Sequence, residues 1–140
     1  MRRIALMVFR LFFKAFYYFS HIWWCSIHDN ISYEEGFRWC KKTTLAANRA
    51  GRVTIEAHGV ENLPEKDGFI MFPNHQGLFD GLVFLESCPK VFSFVMKKEA
   101  ANVILLKQVR KALGALVIDR EDLRQSMKVI QTMAEEVKKG

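Results

Sequence analysis

A chain of 140 residues, half of them hydrophobic and 13% aromatic, holds at most one ordinary domain and is too apolar to stay disordered. Its formal net charge of +6 suits an anionic partner: nucleic acid, an anionic membrane surface or a phosphorylated substrate. The three cysteines, Cys25, Cys40 and Cys88, are odd in number and lack ligand spacing, which predicts reduced thiols in a cytosolic compartment and no metal site.

The apolar run from Ile4 to Ile27 is long enough for a bilayer span of about 20 residues, but Arg10 and Lys14 interrupt it. With Arg3 at zero and about 100° per residue, Arg10 falls near −20°, Lys14 near +20° and His21 near 0°. One narrow stripe therefore carries all four, and the rest of the helix is Leu, Phe, Val, Ile, Tyr and Trp. Two cations at a bilayer centre would cost several kcal/mol, on the order of 2.5–3.5 each. The pattern favours a helix lying in the interface or shallowly embedded, charges up and aromatics down, with Trp23 and Trp24 at headgroup level. No small-residue cleavage site follows the run, which argues against a signal peptide.

Asp29-Asn30-Ile31-Ser32 reads as a turn, and Ser32 with Glu35 as a capping box that opens a helix from Tyr33 to about Ala50, closed by Gly51. The two helices form a predicted membrane-associated hairpin over residues 1–50. Residues 51–140 form a second unit. In it, Arg52 to Val60 alternates as a half-buried strand, Asn62 to Gly68 is a loop, and Phe69 to Phe72 is a short buried strand. A helix over Leu82 to Glu86 ends at Cys88-Pro89. A strand over Val91 to Met96, a helix over Val103 to Leu113, a strand over Ala115 to Ile118 and an amphipathic helix over Asp122 to Lys139 follow. Strands alternating with helices predict an α/β fold, a sheet with helices on its faces.

Phe72-Pro73-Asn74-His75-Gln76-Gly77-Leu78-Phe79-Asp80 is the most informative segment. A histidine acts as a base through one ring nitrogen when the other is held by a partner. On an ideal helix, His75 and Asp80 would point about 140° apart, so they meet only if the chain bends, and Gly77 permits the bend. This places His75 in a loop and Asp80 in the first turn of the next helix, where the helix dipole favours a carboxylate. The plainer readings are an ordinary loop histidine and a helix-terminal aspartate without chemistry.

Asn-His-x4-Asp after a strand resembles the first motif of the glycerolipid acyltransferases, whose best-known members are the lysophosphatidic acid acyltransferases (1-acylglycerol-3-phosphate O-acyltransferases). Met96-Lys97-Lys98-Glu99 is similar to that family's Lys-Lys-Glu element, and Leu113-Gly114-Ala115-Leu116-Val117-Ile118-Asp119-Arg120 to its second motif. The resemblance covers roughly Val53 to Glu121. Gly77 stands where many members carry serine. The family's third motif, Phe-Pro-Glu-Gly-Thr-Arg, is expected as a strand after the last helix, and the chain ends at Gly140 where that strand should begin. The expectation is an N-terminal part of the acyltransferase domain, with its C-terminal part missing; such a part alone would be inactive and poorly soluble without detergent or lipid.

The resemblance implies O-acyl transfer in phospholipid biosynthesis at the cytoplasmic face of the cell membrane, without a cofactor. The donor would be acyl-CoA or acyl-carrier-protein and the acceptor a lysophospholipid. His75 would be the general base and Asp80 its orienting carboxylate. Arg120, delivered by the end of a strand, would contact the acceptor's phosphate; a salt bridge with Asp119, Glu121 or Asp122 is the plainer reading. Asn74 and Gln76 flank the base as substrate-site candidates that could also only shape its loop, and Gly114 joins them by position, with a structural role the simpler reading. Lys97, Lys98, Lys107, Arg110 and Lys111 form a basic cluster, suited to a solvated face or to anionic lipid and donor phosphates. The aromatic residues concentrate in the N-terminal run and do not interleave with it, so nucleic acid is not an expected partner.

Overall fold

A computed structural model describes residues 2–77 and 79–139; Leu78, inside the histidine motif, and Gly140 lie outside the described residues. Helix α1 (Arg2–Ile27) and helix α2 (Tyr33–Gly51) form the hairpin, joined by a turn in which Ile31 N–H donates to the His28 carbonyl. Irregular chain follows, broken by a single 3-10 turn over Val60–Asn62. Helix α3 (Phe79–Ser87), strand β1 (Val95–Lys97), the short helix α4 (Lys98–Ala101), helix α5 (Ile104–Ala112), strand β2 (Leu116–Ile118) and helix α6 (Leu123–Lys139) complete the order. The two strands pair in parallel, Val95 with Leu116, Met96 with Val117 and Lys97 with Ile118.

Helix α2 is the centre of the packing, touching α1, α3 and α5. Its residues Phe37 and Cys40 join Ile22 of α1, Leu85 of α3, and Ala112 and Leu113 at the end of α5 in one core cluster, with Phe92 and Phe94 packed against it. Phe37 and Phe92 meet edge to face at 5.1 Å between centroids. The helix starts as its sequence predicts, for the Ser32 hydroxyl accepts from Glu35 N–H. The reciprocal half of the capping box is replaced: Glu35 instead accepts from Trp39 Nε1 at 3.0 Å and pairs with Arg38.

The other end of α2 differs from expectation in an informative way. Gly51 is the last helical residue, and the left-handed position belongs to Arg52, at φ 53°. Gly51 is needed for proximity: a Cβ there would come within 2.6 Å of the Met7 side chain on α1. Two residues of the cationic stripe, Arg3 and Arg10, reach this junction while staying exposed. Arg3 donates to the carbonyls of Gly51 and Arg52, at 3.2 and 2.8 Å, and Arg10 to that of Ala50 at 3.3 Å. Cations at a helix C-terminus satisfy orphan carbonyls and match the dipole there. Further along the same stripe, His21 stacks on Trp39 at 3.8 Å. The opposite face of α1 lies open, with Phe9, Phe12, Phe13 and Phe16 exposed. No described helix is long and apolar enough to cross a membrane.

The sheet is smaller than the alternating pattern predicted. Residues 53–59 and 69–72 are irregular, and no backbone hydrogen bond among the described residues ties either segment into a ladder. Alternation marks which residues turn inward, as Val53 and Ile55 do partly, but a strand also needs a partner backbone. The strand expected over Val91 to Met96 is confined to Val95–Lys97 for the same reason. The fold is thus mostly helical around a two-stranded parallel sheet. Helices α3, α5 and α6 fall close to their predicted bounds, and the short helix α4 is an addition to them.

Helix α5 crosses α2 at Gly36, where an added Cβ would overlap the Ala112 carbonyl. Gly36→Ala is therefore expected to lower the melting temperature of the full chain, at a cost of about 1–3 kcal/mol from overpacking against rigid backbone. Gly81→Ala on α3, where nothing lies within 4 Å of the new methyl, gains helix propensity of up to about 1 kcal/mol and should not lower it. Thermal unfolding followed by circular dichroism checks both.

Candidate active site

His75 and Asp80 are brought together. His75 Nδ1 lies 3.0 Å from Asp80 Oδ2, across the bend that the motif required. The same oxygen accepts the backbone N–H of Gln76 at 2.6 Å and of Gly77 at 3.0 Å. Asp80 is the second residue of α3, and its own N–H donates to the Gly77 carbonyl, which closes the turn. Three N–H donors thus converge on one carboxylate oxygen, two from rigid backbone and one from the imidazole.

This geometry fixes the proton inventory of the ring. A carboxylate beside Nδ1 holds the hydrogen there, so the neutral imidazole carries its lone pair on Nε2. The His75 side chain is 63% exposed and that of Asp80 30%. Nε2 is open to a substrate, while the carboxylate is partly enclosed by its own turn. The Gln76 and Gly77 N–H groups, reinforced by the charge of His75, hold the Asp80 carboxyl below its usual range. Asp80 is therefore held as the anion, placed to stabilise an imidazolium at His75.

The remaining candidates lie in other surroundings. Asn74 is exposed, and its side chain has no hydrogen-bond partner among the described residues. Gln76 takes part through its backbone, not its amide. Arg120 is exposed in the turn after β2 and makes no ion pair among the described residues. The bridge considered for it, with Asp119, is taken by Lys98, whose ammonium lies 2.7 Å from Asp119 Oδ2 and draws that carboxyl below its usual range. The Lys-Lys-Glu element and the Asp-Arg motif are thereby tied together. Gly114 adopts φ 56°, and a Cβ there would meet the Tyr33 ring at 2.5 Å. Its role is to turn the chain from α5 into β2 beneath the start of α2. No hydrogen bond or ion pair among the described residues links Arg120 or Gly114 to the His75–Asp80 pair.

Two features escaped sequence reasoning. Gln125 holds the motif turn: it accepts the Asp119 N–H at 2.8 Å and donates to the Val117 carbonyl at 2.6 Å. An Asp122-x-x-Gln125 spacing at the start of α6 was the available signal. Phe72, read as the end of a buried strand, is 89% exposed three residues before the base.

The Acyltransferase family model matches residues 54–140, which is most of the chain and includes both motifs. The chain belongs to the Acyltransferase family. Acyl transfer is the reaction class that this membership carries, with an acyl donor and a lipid acceptor. No curated protein and no solved structure matches the chain. Among the described residues of this acyltransferase, no group of three or more His, Cys, Asp or Glu is placed to hold a metal ion. The three thiols are free, and burial pushes that of Cys40 up to about 12, which leaves it unreactive.

The Asp80 geometry has a pH consequence. A carboxyl depressed on folding adds stability that is fully present above its unfolded value of 3.8. That stability is lost as pH falls through the lower folded value. Carboxyl-detected NMR titration is expected to show Asp80 titrating below 3.8 and the His75 Nδ1 proton signal fading as it does so. An Asp80 that titrates at or above the free-aspartate value would contradict the three-donor geometry.

Proposed function

We propose that this acyltransferase moves a fatty acyl group from a thioester, acyl-CoA or acyl-carrier-protein, to the free hydroxyl of lysophosphatidic acid or a related lysophospholipid. The observation that carries this reading is the His75 Nδ1–Asp80 pair with its opposite nitrogen open, set inside the family match. His75 Nε2 takes the proton of the acceptor hydroxyl as its oxygen attacks the thioester carbonyl carbon. The C–S bond then breaks, and the imidazolium returns the proton to the departing sulfur. Asp80 stabilises the imidazolium between these two transfers. The acceptor hydroxyl is the nucleophile, so no serine or cysteine of the protein is needed. Arg120 supplies a fork of donors suited to the acceptor's phosphate.

His75→Ala is expected to reduce acyl transfer to lysophosphatidic acid by about 10²–10⁴-fold with the fold intact. The measurement is turnover of the full protein with each thioester donor, beside a circular dichroism spectrum. Activity within tenfold of the unsubstituted protein would exclude His75 as the base. In the same assay, Arg120→Ala should raise the apparent KM for the acceptor and spare that for the donor; the reverse pattern would assign Arg120 to the thioester.

The place of action proposed is a membrane surface, met by the open aromatic face of α1 and not crossed. What supports it is the exposure of Phe9, Phe12, Phe13 and Phe16, with Trp23 and Trp24 beyond them on the same helix. Thiol labels at the exposed positions Ile4 and Thr54 in sealed vesicles should react from the same side. Labels that react from opposite sides would establish a span.

A further inference from the structure

At the open end of the helical hairpin lies a cavity of about 330 Å³ lined by Arg2, Arg3, Leu6 and Arg52. Its volume is at the lower end of small-ligand sites, roughly 300–1,000 Å³. Three arginines line it, and no carboxylate pairs with any of them among the described residues. Arg3 uses one nitrogen on the carbonyls of Gly51 and Arg52, which fixes its plane and leaves its other N–H groups for a ligand. The side chains of Arg2 and Arg52 donate to no protein acceptor among the described residues. Like charges gathered without a counter-charge repel one another unless an anion joins them.

Arg52 adds an independent observation. It is the one non-glycine residue with positive φ among the described residues, at 53°. A side chain there costs on the order of 1 kcal/mol that glycine would not. It brings a residue from the end of α2 to the same cavity as Arg2, Arg3 and Leu6 of the first turns of α1.

The cavity also has a definite relation to the aromatic face. With Arg3 at zero and about 100° per residue, Arg2 lies near −100° and Leu6 near −60°. On the same scale Phe9 lies near −120° and Phe13 near −80°. A helix lying in the interface therefore carries Arg2 on the flank it shares with Phe9 and Phe13. Its long side chain reaches up to the headgroup layer from there. A phosphate in the cavity would sit at headgroup depth, and an acyl chain could run down beside Phe9 and Phe13.

We infer that Arg2, Arg3 and Arg52 form a phosphate-binding site, separate from the His75 surface, that takes the headgroup of an anionic phospholipid. The inference rests on the proposed membrane contact of α1, and the test separates the two. Arg binds phosphate through planar, bidentate N–H pairs, and three of them in one cavity select a phosphomonoester over a zwitterionic headgroup. The chain would thereby be held with its α1 N-terminus on anionic lipid, which sets the rotation of the hairpin on the surface.

Binding of the full chain is measured by flotation with phosphatidylcholine vesicles and with phosphatidylcholine–phosphatidic acid vesicles. The unsubstituted protein should prefer the second. Arg2→Gln with Arg52→Gln should lose about tenfold to thirtyfold of that preference, as about 1 kcal/mol for each basic residue at the surface implies. Binding to phosphatidylcholine alone should stay unchanged. Arg52→Gly should lose part of the preference while raising the melting temperature, which separates loss of the site from loss of the fold. Arg124→Gln with Lys128→Gln, removing equal charge from α6, should keep the preference; an equal loss there would overturn the site in favour of general electrostatics. Inorganic phosphate in detergent is the second arm. Stabilisation by phosphate that disappears in the Arg2/Arg52 variant, without any vesicle preference, would assign the site to a soluble phosphate. No dependence on Arg2 and Arg52 in either arm would refute it. Loss of phosphatidylcholine binding in Phe9→Ser with Phe13→Ser tests the membrane contact by itself.

Discussion

The approach of α2 to its neighbours is the constraint on which this structure depends. At Gly36 the helix meets the Ala112 carbonyl with no room for a methyl group, and at Gly51 it meets Met7. Between these two contacts its side chains reach the third neighbour. Asn48, 1% exposed, donates to Glu86 Oε2 of α3 at 2.5 Å, and Lys41 donates to the Cys88 carbonyl just beyond that helix. Polar bonds of this kind, each with one charged partner, add about 1.5–3 kcal/mol, and they fix one arrangement, because breaking them strands a desolvated group. The helix that carries Asp80 is thus oriented by the helix that pairs with α1.

The chemistry of the site follows from a local geometry of six residues. His75 and Asp80 are joined by a turn whose backbone N–H groups point at the carboxylate, so the pair needs no distant element to assemble. What must come from elsewhere is the orientation of the pair toward its substrates, which descends from α3 through Glu86 and Asn48 to the hairpin. The second motif has its own fastening, Lys98 to Asp119 and Gln125 to the backbone on either side of Ile118. The two halves of the family signature are therefore locally determined.

This division explains what could be read in the sequence. The helices after Gly77, the Ser32 cap and the meeting of His75 with Asp80 depend on neighbours within a turn or two, and side-chain identity decides them. The strands over 52–60 and 69–72 depended on a partner elsewhere, which alternation cannot report. The cationic stripe of α1 was grouped by its azimuth, but the contacts it makes were not foreseen: Arg3 and Arg10, though exposed, also donate to carbonyls at the end of α2, and His21 stacks on Trp39. A helical wheel shows which residues share a face, not what that face meets. The same limit hid the exposure of Phe72, and the role of Gly51 as a point of approach for Met7.

The two arginines that close the hairpin carry a consequence for the surface opposite them. Arg3 and Arg10 are spent on the carbonyls of Ala50, Gly51 and Arg52, so the outward face of α1 between Val8 and Phe16 is left almost free of charge. Were α1 to swing away from α2, those guanidinium groups would lose their acceptors and be free to turn into the apolar face. Closure of the hairpin and affinity for an apolar surface are then linked equilibria, and each must strengthen the other by the same factor. An apolar partner on that face would tighten the end of α2. Through Asn48 and Glu86 that end is continuous with α3, so whatever tightens the hairpin also bears on the helix that carries Asp80.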